Sequence, residues 1–246
     1  MSIANTLSEV RSSFKLEKAG EQWRSTQVII AALNEEEGIG CTIFELTKYL
    51  RNPRILVVDG NSDDGTVDVA KSMGADVVCQ DGKGKGDAIA KAIQQADLNV
   101  DYVVLTDADY TYPAEHVPEM IRILEENHHV GMVCGNRFNG NVDMEALHGT
   151  FYFGNRLLAF AHNMLNGVNL KDPLTGLRVV RAEILRGWSV KSKGFDIEVE
   201  LNHQVERRGF TIWEIPIRYR QRLGQKKLKA RHGFGILKRI MLETSY

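Results

Sequence analysis

Four short apolar runs, each stopped by an acidic or glycine-rich turn, constrain this chain more than any other feature. They are Gln27 to Leu33, Arg54 to Asp59, Ala75 to Cys79 and Tyr102 to Leu105. The first is too continuously apolar to have a wet face, the pattern of strands buried on both sides of a parallel sheet. Stretches with helical spacing separate the runs: Ile39 to Leu50 with Ile43 and Leu46, then Val67 to Met73, then Ile89 to Ala96. Strands alternating with helices predict βαβ units, right-handed crossovers and a largely parallel sheet.

The carboxyl ends of parallel strands lie along one rim, where open α/β sheets bind ligands. The turns at that rim therefore carry the chemical content. The first run ends at Asn34 and Glu35, and the second in Asp59-Gly-Asn-Ser-Asp-Asp-Gly-Thr66, with Ser62 or Asp63 available to cap the next helix. The fourth ends in Asp107-Ala108-Asp109. Two carboxylates one residue apart at a strand end can converge on one divalent cation, and Mg²⁺ or Mn²⁺ shares such oxygen ligands with phosphates. The competing role for the same pair is to cap a helix whose first turn is set by Pro113. The turn Gly82-Lys-Gly-Lys-Gly-Asp87 offers backbone amides and two cations at the mouth of a helix, a favourable place for phosphate. It lacks the P-loop spacing, and no dinucleotide fingerprint follows the first strand.

Beyond Pro113 the rhythm changes. A helix is expected over Val117 to Glu126 and a strand over Val130 to Cys134. Gly149 to Gly167 reads as a helix rich in aromatic and aliphatic residues, suited to a core or to a lipid interface. A strand at Val179-Val180, a helix from about Gly194 to Arg208 and a strand over Phe210 to Arg218 follow; Pro216 argues that this last strand is an edge or bulged one. His232 to Leu242 reads as a basic amphipathic helix. Residues 1 to 26 form a polar arm or peripheral helix, 27 to 230 one globular domain, and 231 to 246 a tail.

Composition narrows the functional classes. The net charge of −1 gives no global field for nucleic acid, but nine Lys and Arg residues between Arg218 and Arg239 have no acidic residue among them. Such a tail suits phosphates or an anionic membrane surface. Cys41, Cys79 and Cys134 are widely spaced, without a metal-binding pattern, as expected of reduced thiols in a cytoplasmic protein. No apolar segment of signal-peptide or membrane-spanning type occurs. The seven histidines have no ligand spacing and no serine or cysteine elbow beside them, which argues against a triad hydrolase or a histidine metal site.

Several of these segments recur together in one family. Val57 to Thr66, Gly84 to Ala88, Asp107-Ala-Asp-Tyr-Thr-Tyr-Pro113, Gly135-Asn-Arg137, Asp172-Pro-Leu-Thr-Gly-Leu-Arg178, Gly194 to Leu201 and Glu214-Ile-Pro-Ile217 come in this order. With Arg222 and Lys227-Leu228 they make residues 27 to 230 resemble the family-2 glycosyltransferases of GT-A fold, and among them the dolichyl- or polyprenyl-phosphate sugar synthases. The resemblance implies an α/β domain with a Rossmann-like, mostly parallel sheet. It divides that domain into a donor half, 27 to 113, and an acceptor half, 114 to 230. It also implies that Ala31, Leu33 and Glu35 border a nucleobase that Asp59 hydrogen-bonds, and that Lys85 sits near the donor phosphates. Asp107 and Asp109 would bind Mg²⁺ or Mn²⁺. Arg137 and Arg156 would receive the acceptor phosphate, with Arg137 counted among the catalytic residues, and Arg222 and Lys227 would close over phosphates. Glu200 matches an acidic residue of the family's helix. The chain departs from the pattern at Ala31 and Leu33, where the family usually has Pro and an aromatic residue. It departs again at Gly60, where a second Asp is frequent.

A phosphate monoester acceptor is mostly dianionic near pH 7 and attacks without a strong base, so catalysis falls on the leaving nucleoside diphosphate. The expected activity is inverting, metal-dependent transfer from a GDP- or UDP-sugar to dolichyl or polyprenyl phosphate. It would take place at the cytoplasmic face of a membrane, by a peripheral protein with or without a membrane subunit. A soluble transferase acting on a small acceptor such as phosphoglycerate, and a non-catalytic nucleotide-sugar-binding protein, are the alternatives.

Overall fold

The computed structural model describes residues 25–138, 150–166, 168–225, 227 and 232–243. The expected arm at the N-terminus lies outside them. Among the described residues seven strands form one sheet in the order β3-β2-β1-β4-β6-β5-β7. They are β1 (Thr26–Ala32), β2 (Arg54–Asp59), β3 (Asp76–Cys79), β4 (Tyr102–Asp107), β5 (Val130–Asn136), β6 (Arg178–Arg181) and β7 (Thr211–Pro216). The first four are mutually parallel, and β6 runs antiparallel to both β4 and β5. The sheet is thus mostly parallel, as the alternating pattern predicts. The reversed strand follows a long excursion whose direction no periodicity reveals. Edge strand β7 ends at Pro216, where the missing N–H costs no ladder bond.

Successive residues of β1 point to opposite faces, so one strand feeds two cores. Val28 and Ile30 pack with Ile43 and Leu46 of α1 (Glu36–Tyr49) and Met120 of α4 (Val117–Glu126). The α2 helix (Thr66–Ser72) contributes Ala70 to this face. Ile29 faces the other way, toward Ile89 of α3 (Lys85–Gln95), Leu185 of α6 (Ala182–Leu185) and Leu201 of α7 (Ile197–Arg207). Each fully buried side chain of this kind contributes about 1.5–3 kcal/mol, so the double-faced sheet is the main source of stability.

Two helices lie outside these layers. The α5 helix (Thr150–Asn166) and α8 (His232–Glu243) pack on each other, and with α7 they enclose a small cluster of Leu158, Val199, Ile236 and Ile240. Their outer surfaces are unusually apolar: Leu157, Phe160 and Met164 on α5 and Phe234, Met241 and Leu242 on α8 are exposed. Among the described residues no helix is long and apolar enough to cross a membrane.

Two local expectations need correction. Neither Ser62 nor Asp63 caps α2, which starts at Thr66 behind Gly65 with no side-chain cap. The turn instead folds back on the end of β1: Asn34 N–H donates to Ser62 Oγ (2.9 Å) and Asp63 N–H to Asn34 Oδ1 (3.0 Å). The helix α3 begins at Lys85, earlier than the apolar spacing indicates. Its first turn holds Lys85-Gly86-Asp87, which hides the helical period.

Candidate active site

Register places the rim turns side by side. Ala32 of β1 pairs with Asp59 of β2, and Ala31 pairs with Asp107 of β4. Above this junction lies a cavity of about 550 Å³, a size that holds small ligands. The pair Asp107 and Asp109 sits in its floor. Neither caps a helix: the 3₁₀ turn Ala114–His116 follows Pro113 and leads into α4, both without a side-chain cap. Asp109 Oδ1 instead accepts from Thr111 Oγ1 (2.6 Å) and Thr111 N–H (3.2 Å), fixing the turn. Two glycines let other backbone come close to it. A Cβ on Gly38 of α1 would lie 2.7 Å from the Ala108 carbonyl, and one on Gly176 would collide with the Asp107 carboxylate. Any side chain at either position would push the turn away.

Asp109 is buried, and burial together with the neighbouring Asp107 charge raises its pKa against the partial relief from Thr111 and Arg222. Lys85 Nζ bridges Asp107 Oδ1 (2.5 Å) and Glu198 Oε1 (2.7 Å). Burial alone would lower the pKa of this ammonium, but the two carboxylates outweigh it and hold Lys85 protonated. Lys85 therefore lines the cavity with its charge already matched twice.

Arg222 and Lys227 reach the same place from the far end of the chain. Arg222 Nη2 and Lys227 Nζ donate to Glu35 Oε1 at 2.7 and 2.9 Å, and Arg222 Nη1 lies 3.5 Å from Asp109 Oδ2. The strap that carries them is pinned by backbone bonds from Arg220 N–H to Thr111 O (3.1 Å) and from Leu223 N–H to Asp109 O (3.0 Å). Arg220 adds a two-bond pair with Glu45 (2.9 and 3.0 Å) and stacks over Tyr110. Burial raises the Glu35 pKa despite the Lys227 and Arg222 charges.

Arg137 enters from the end of β5. Its Nε and Nη2 donate to Asp172 (both 2.7 Å), and its guanidinium lies against Tyr219 and Phe138. The Asp172 carboxylate outweighs burial and keeps Arg137 charged. Asp172 is set by Glu214, which accepts its N–H at 2.6 Å, and the rest of the Asp172–Arg178 element by Arg178. That buried guanidinium donates to Pro173 O (2.6 Å) and Asn202 Oδ1 (2.6 Å).

The expected base-side residues Ala31, Leu33 and Glu35 line the cavity together with Gly60. Asp59 does not: it is 1% exposed, and its oxygens accept from Ser62 Oγ (2.6 Å) and Ser62 N–H (2.9 Å). Arg156 is exposed on α5 over the Phe138 ring, and its neighbour Asn155 faces the cavity instead. Glu200 gains a place: it accepts from Lys191 N–H (2.8 Å) and Ser192 N–H (2.6 Å), holding the loop whose Lys193 carbonyl receives Gly86 N–H. Tyr112, Tyr219 and Glu198 also line the cavity without having been singled out in the sequence. A charged residue between Ile197 and Val199, on a helix otherwise built to be buried, is the signal that would have found Glu198.

The glycosyl transferase family 2 model matches residues 27–188. The chain belongs to that family. This glycosyltransferase is 34% identical over 205 residues to a dolichyl-phosphate hexose transferase of Haloferax volcanii, covering 82% of this chain and 85% of the relative. It is 29% identical to an undecaprenyl-phosphate mannosyltransferase of Micrococcus luteus, covering 81% and 86%. In fold it is similar to glucosyl-3-phosphoglycerate synthase of Mycobacterium tuberculosis, solved with Mn²⁺, UDP-glucose and phosphoglyceric acid. The TM-score is 0.73 at 22% identity, over 95% of this chain and 83% of that one. The GT-A fold expected from the sequence is therefore the fold present.

Among the described residues no three His, Cys, Asp or Glu side chains converge as a ready-made metal cage. The floor nonetheless fits a hard divalent cation shared with a ligand: two carboxylates, Asp109 with its pKa raised by burial and by the Asp107 charge, whose present partners Lys85 and Arg222 are cations that a metal would displace.

Proposed function

We propose that this glycosyltransferase moves a hexose from a nucleotide-sugar to a dolichyl or polyprenyl phosphate, with inversion and with Mg²⁺ or Mn²⁺. One observation carries the reading: the Asp107/Asp109 floor and four cationic side chains, Lys85, Arg137, Arg222 and Lys227, line one cavity. Two helices of its wall, α5 and α8, also expose Leu157, Phe160 and Phe234 outward. A lipid phosphate needs both, an anion site and an apolar face beside it. The names of the two relatives support the same acceptor class.

Ala31, Leu33 and Gly60 form the wall for the base. Asp59 shapes that wall from behind, through Ser62. Asp107 and Asp109 would hold the cation, which supplies charge neutralisation to the departing diphosphate. Arg222 and Lys227 release Glu35 and turn to the diphosphate, closing the strap over it. Arg137, its guanidinium oriented by Asp172, receives the acceptor phosphate through the N–H groups that Asp172 leaves open. Because that phosphate is already an anion at neutral pH, no base is required, and direct attack inverts the anomeric carbon. The apolar α5–α8 face rests on the membrane interface, with Arg156 and Lys238 toward lipid phosphates.

The test is a panel of UDP- and GDP-sugars with Mg²⁺ or Mn²⁺ and a short polyprenyl phosphate, read by mass spectrometry. A metal-dependent glycosyl-phospholipid product is expected. Transfer to 3-phosphoglycerate and not to the lipid would replace this reading with the small-acceptor one, which the shared fold with the phosphoglycerate enzyme favours.

A further inference from the structure

Among the described residues two carboxylates lining the cavity have a buried oxygen that meets no hydrogen-bond donor: Glu35 Oε2, at the end of β1 beside Leu33 with two cations on its other oxygen, and Glu198 Oε2, on α7. Glu198 sits on the first turn of α7 and is 7% exposed. Its Oε1 is held by Lys85 Nζ at 2.7 Å, while Oε2 is buried and meets no hydrogen-bond donor. Lys85 does not need it for neutrality, since Asp107 Oδ1 already lies 2.5 Å from the same ammonium. One ammonium between two carboxylates leaves an excess negative charge facing the cavity. A buried, unsatisfied carboxylate oxygen is costly, and such groups persist where a ligand completes them.

The chemistry of that ligand is restricted. A carboxylate oxygen accepts and cannot donate, so it repels phosphate oxygens and attracts hydroxyls. Lys85 Nζ stands between Glu198 and Asp107 of the floor, and the base wall of Leu33 and Gly60 is formed by other elements. Resting on the reading of the cavity as a nucleotide-sugar site, we infer that Glu198 Oε2 accepts a hydrogen bond from a hydroxyl of the donor hexose. It is thereby a determinant of which sugar is bound. The shared Lys85 ties that recognition to the position of Asp107, so a sugar that satisfies Glu198 also orders the floor.

The experiment compares wild type, Glu198→Gln and Glu198→Ala in calorimetric titrations with Mn²⁺. The titrants are UDP and GDP, UDP-glucose and GDP-mannose, and monodeoxy forms of whichever sugar binds best. Glu198→Gln keeps the shape and the Lys85 contact but presents an amide donor in place of the acceptor, and thermal melting checks both variants for folding. Nucleoside diphosphate affinity should stay within about twofold across the three proteins. Affinity for the intact nucleotide-sugar should fall roughly ten- to a hundredfold in both variants, the range for a hydrogen bond to a charged group. One monodeoxy donor should bind wild type and Glu198→Gln equally, closing the double-mutant cycle. Equal losses for nucleoside diphosphate and nucleotide-sugar would make Glu198 only a support for Lys85 and overturn the assignment. So would unchanged sugar affinity in both variants. Wild type that binds neither nucleotides nor nucleotide-sugars would instead defeat the donor-site reading itself, and this inference with it.

Discussion

The N-terminal rim and the C-terminal walls of the cavity are built by opposite means. At the rim, residues 27 to 113, the turns after β2 and β4 complete themselves: Ser62 binds Asp59 three residues back, and Thr111 binds Asp109 two residues back. In the walls, partners come from far away: Arg222 meets Glu35 across 187 residues and Lys85 meets Glu198 on another helix. Local turns survive substitution elsewhere, whereas long-range ion pairs depend on the whole fold being in place. The rim is thus a fixed template, and the walls are adjustable parts brought to it.

That contrast can be attacked from several sides. The largest effect should follow Asp109→Ala, which removes a rim carboxylate whose side-chain hydrogen bonds are local, to Thr111, and whose long-range contact is the 3.5 Å approach of Arg222. Transfer should fall by at least about a thousandfold with little change in thermal stability. Near-normal turnover at saturating donor would remove the metal role. Next comes Lys85→Met, which leaves the buried Glu198 and the half-buried Asp107 unpaired. Breaking a buried pair costs about 3–5 kcal/mol, so urea unfolding should shift strongly. Arg222→Ala, by contrast, should raise the donor KM about tenfold with only a small loss of stability, because its strap is also held by the Arg220–Glu45 pair.

A fourth probe is pH. His162 and His203 lie with rings 5.7 Å apart between α5 and α7, and burial lowers both pKa values to about 4. A histidine kept neutral in the fold but protonated in the unfolded chain binds fewer protons when folded. Stability is therefore complete above pH 6.5 and lost as pH falls from 6.5 toward 4. The loss is up to roughly 3 kcal/mol for His162 and less for the less enclosed His203. Denaturant midpoints at pH 7 and pH 4.5 should differ accordingly. The double change His162→Gln and His203→Gln should flatten the slope, and an unchanged slope would assign the acid sensitivity to carboxylates. The smallest effect belongs to the outer face. Leu157→Asp with Phe234→Asp should weaken binding to anionic lipid vesicles about tenfold, roughly 1.4 kcal/mol, while leaving the melting temperature nearly unchanged. Equal binding by the variant would detach that face from the membrane.

Legibility followed the same division. The four N-terminal strands and the floor pair Asp107/Asp109 stand out because continuous apolar runs and strand-end acids are short-range signals. The same range limit explains the failures. Ser62 resembles a helix cap until β1 is beside it, and Glu198 resembles an ordinary helical acid until Lys85 reaches it. Arg156 and Asn155 are neighbours in sequence, but a helix turns them about 100° apart, and only the packing of α5 decides which one faces the cavity.

By itself, the sequence determined the alternating α/β architecture, the family and the acidic floor, since all three rest on periodicity and on residues close together along the chain. Tertiary structure alone decided the antiparallel β6, the closure of Arg222 and Lys227 on Glu35, and the Lys85 bridge that leaves Glu198 facing the cavity. Those depend on which charges meet after the sheet has assembled. Pairings between distant charges leave no mark in the order of residues.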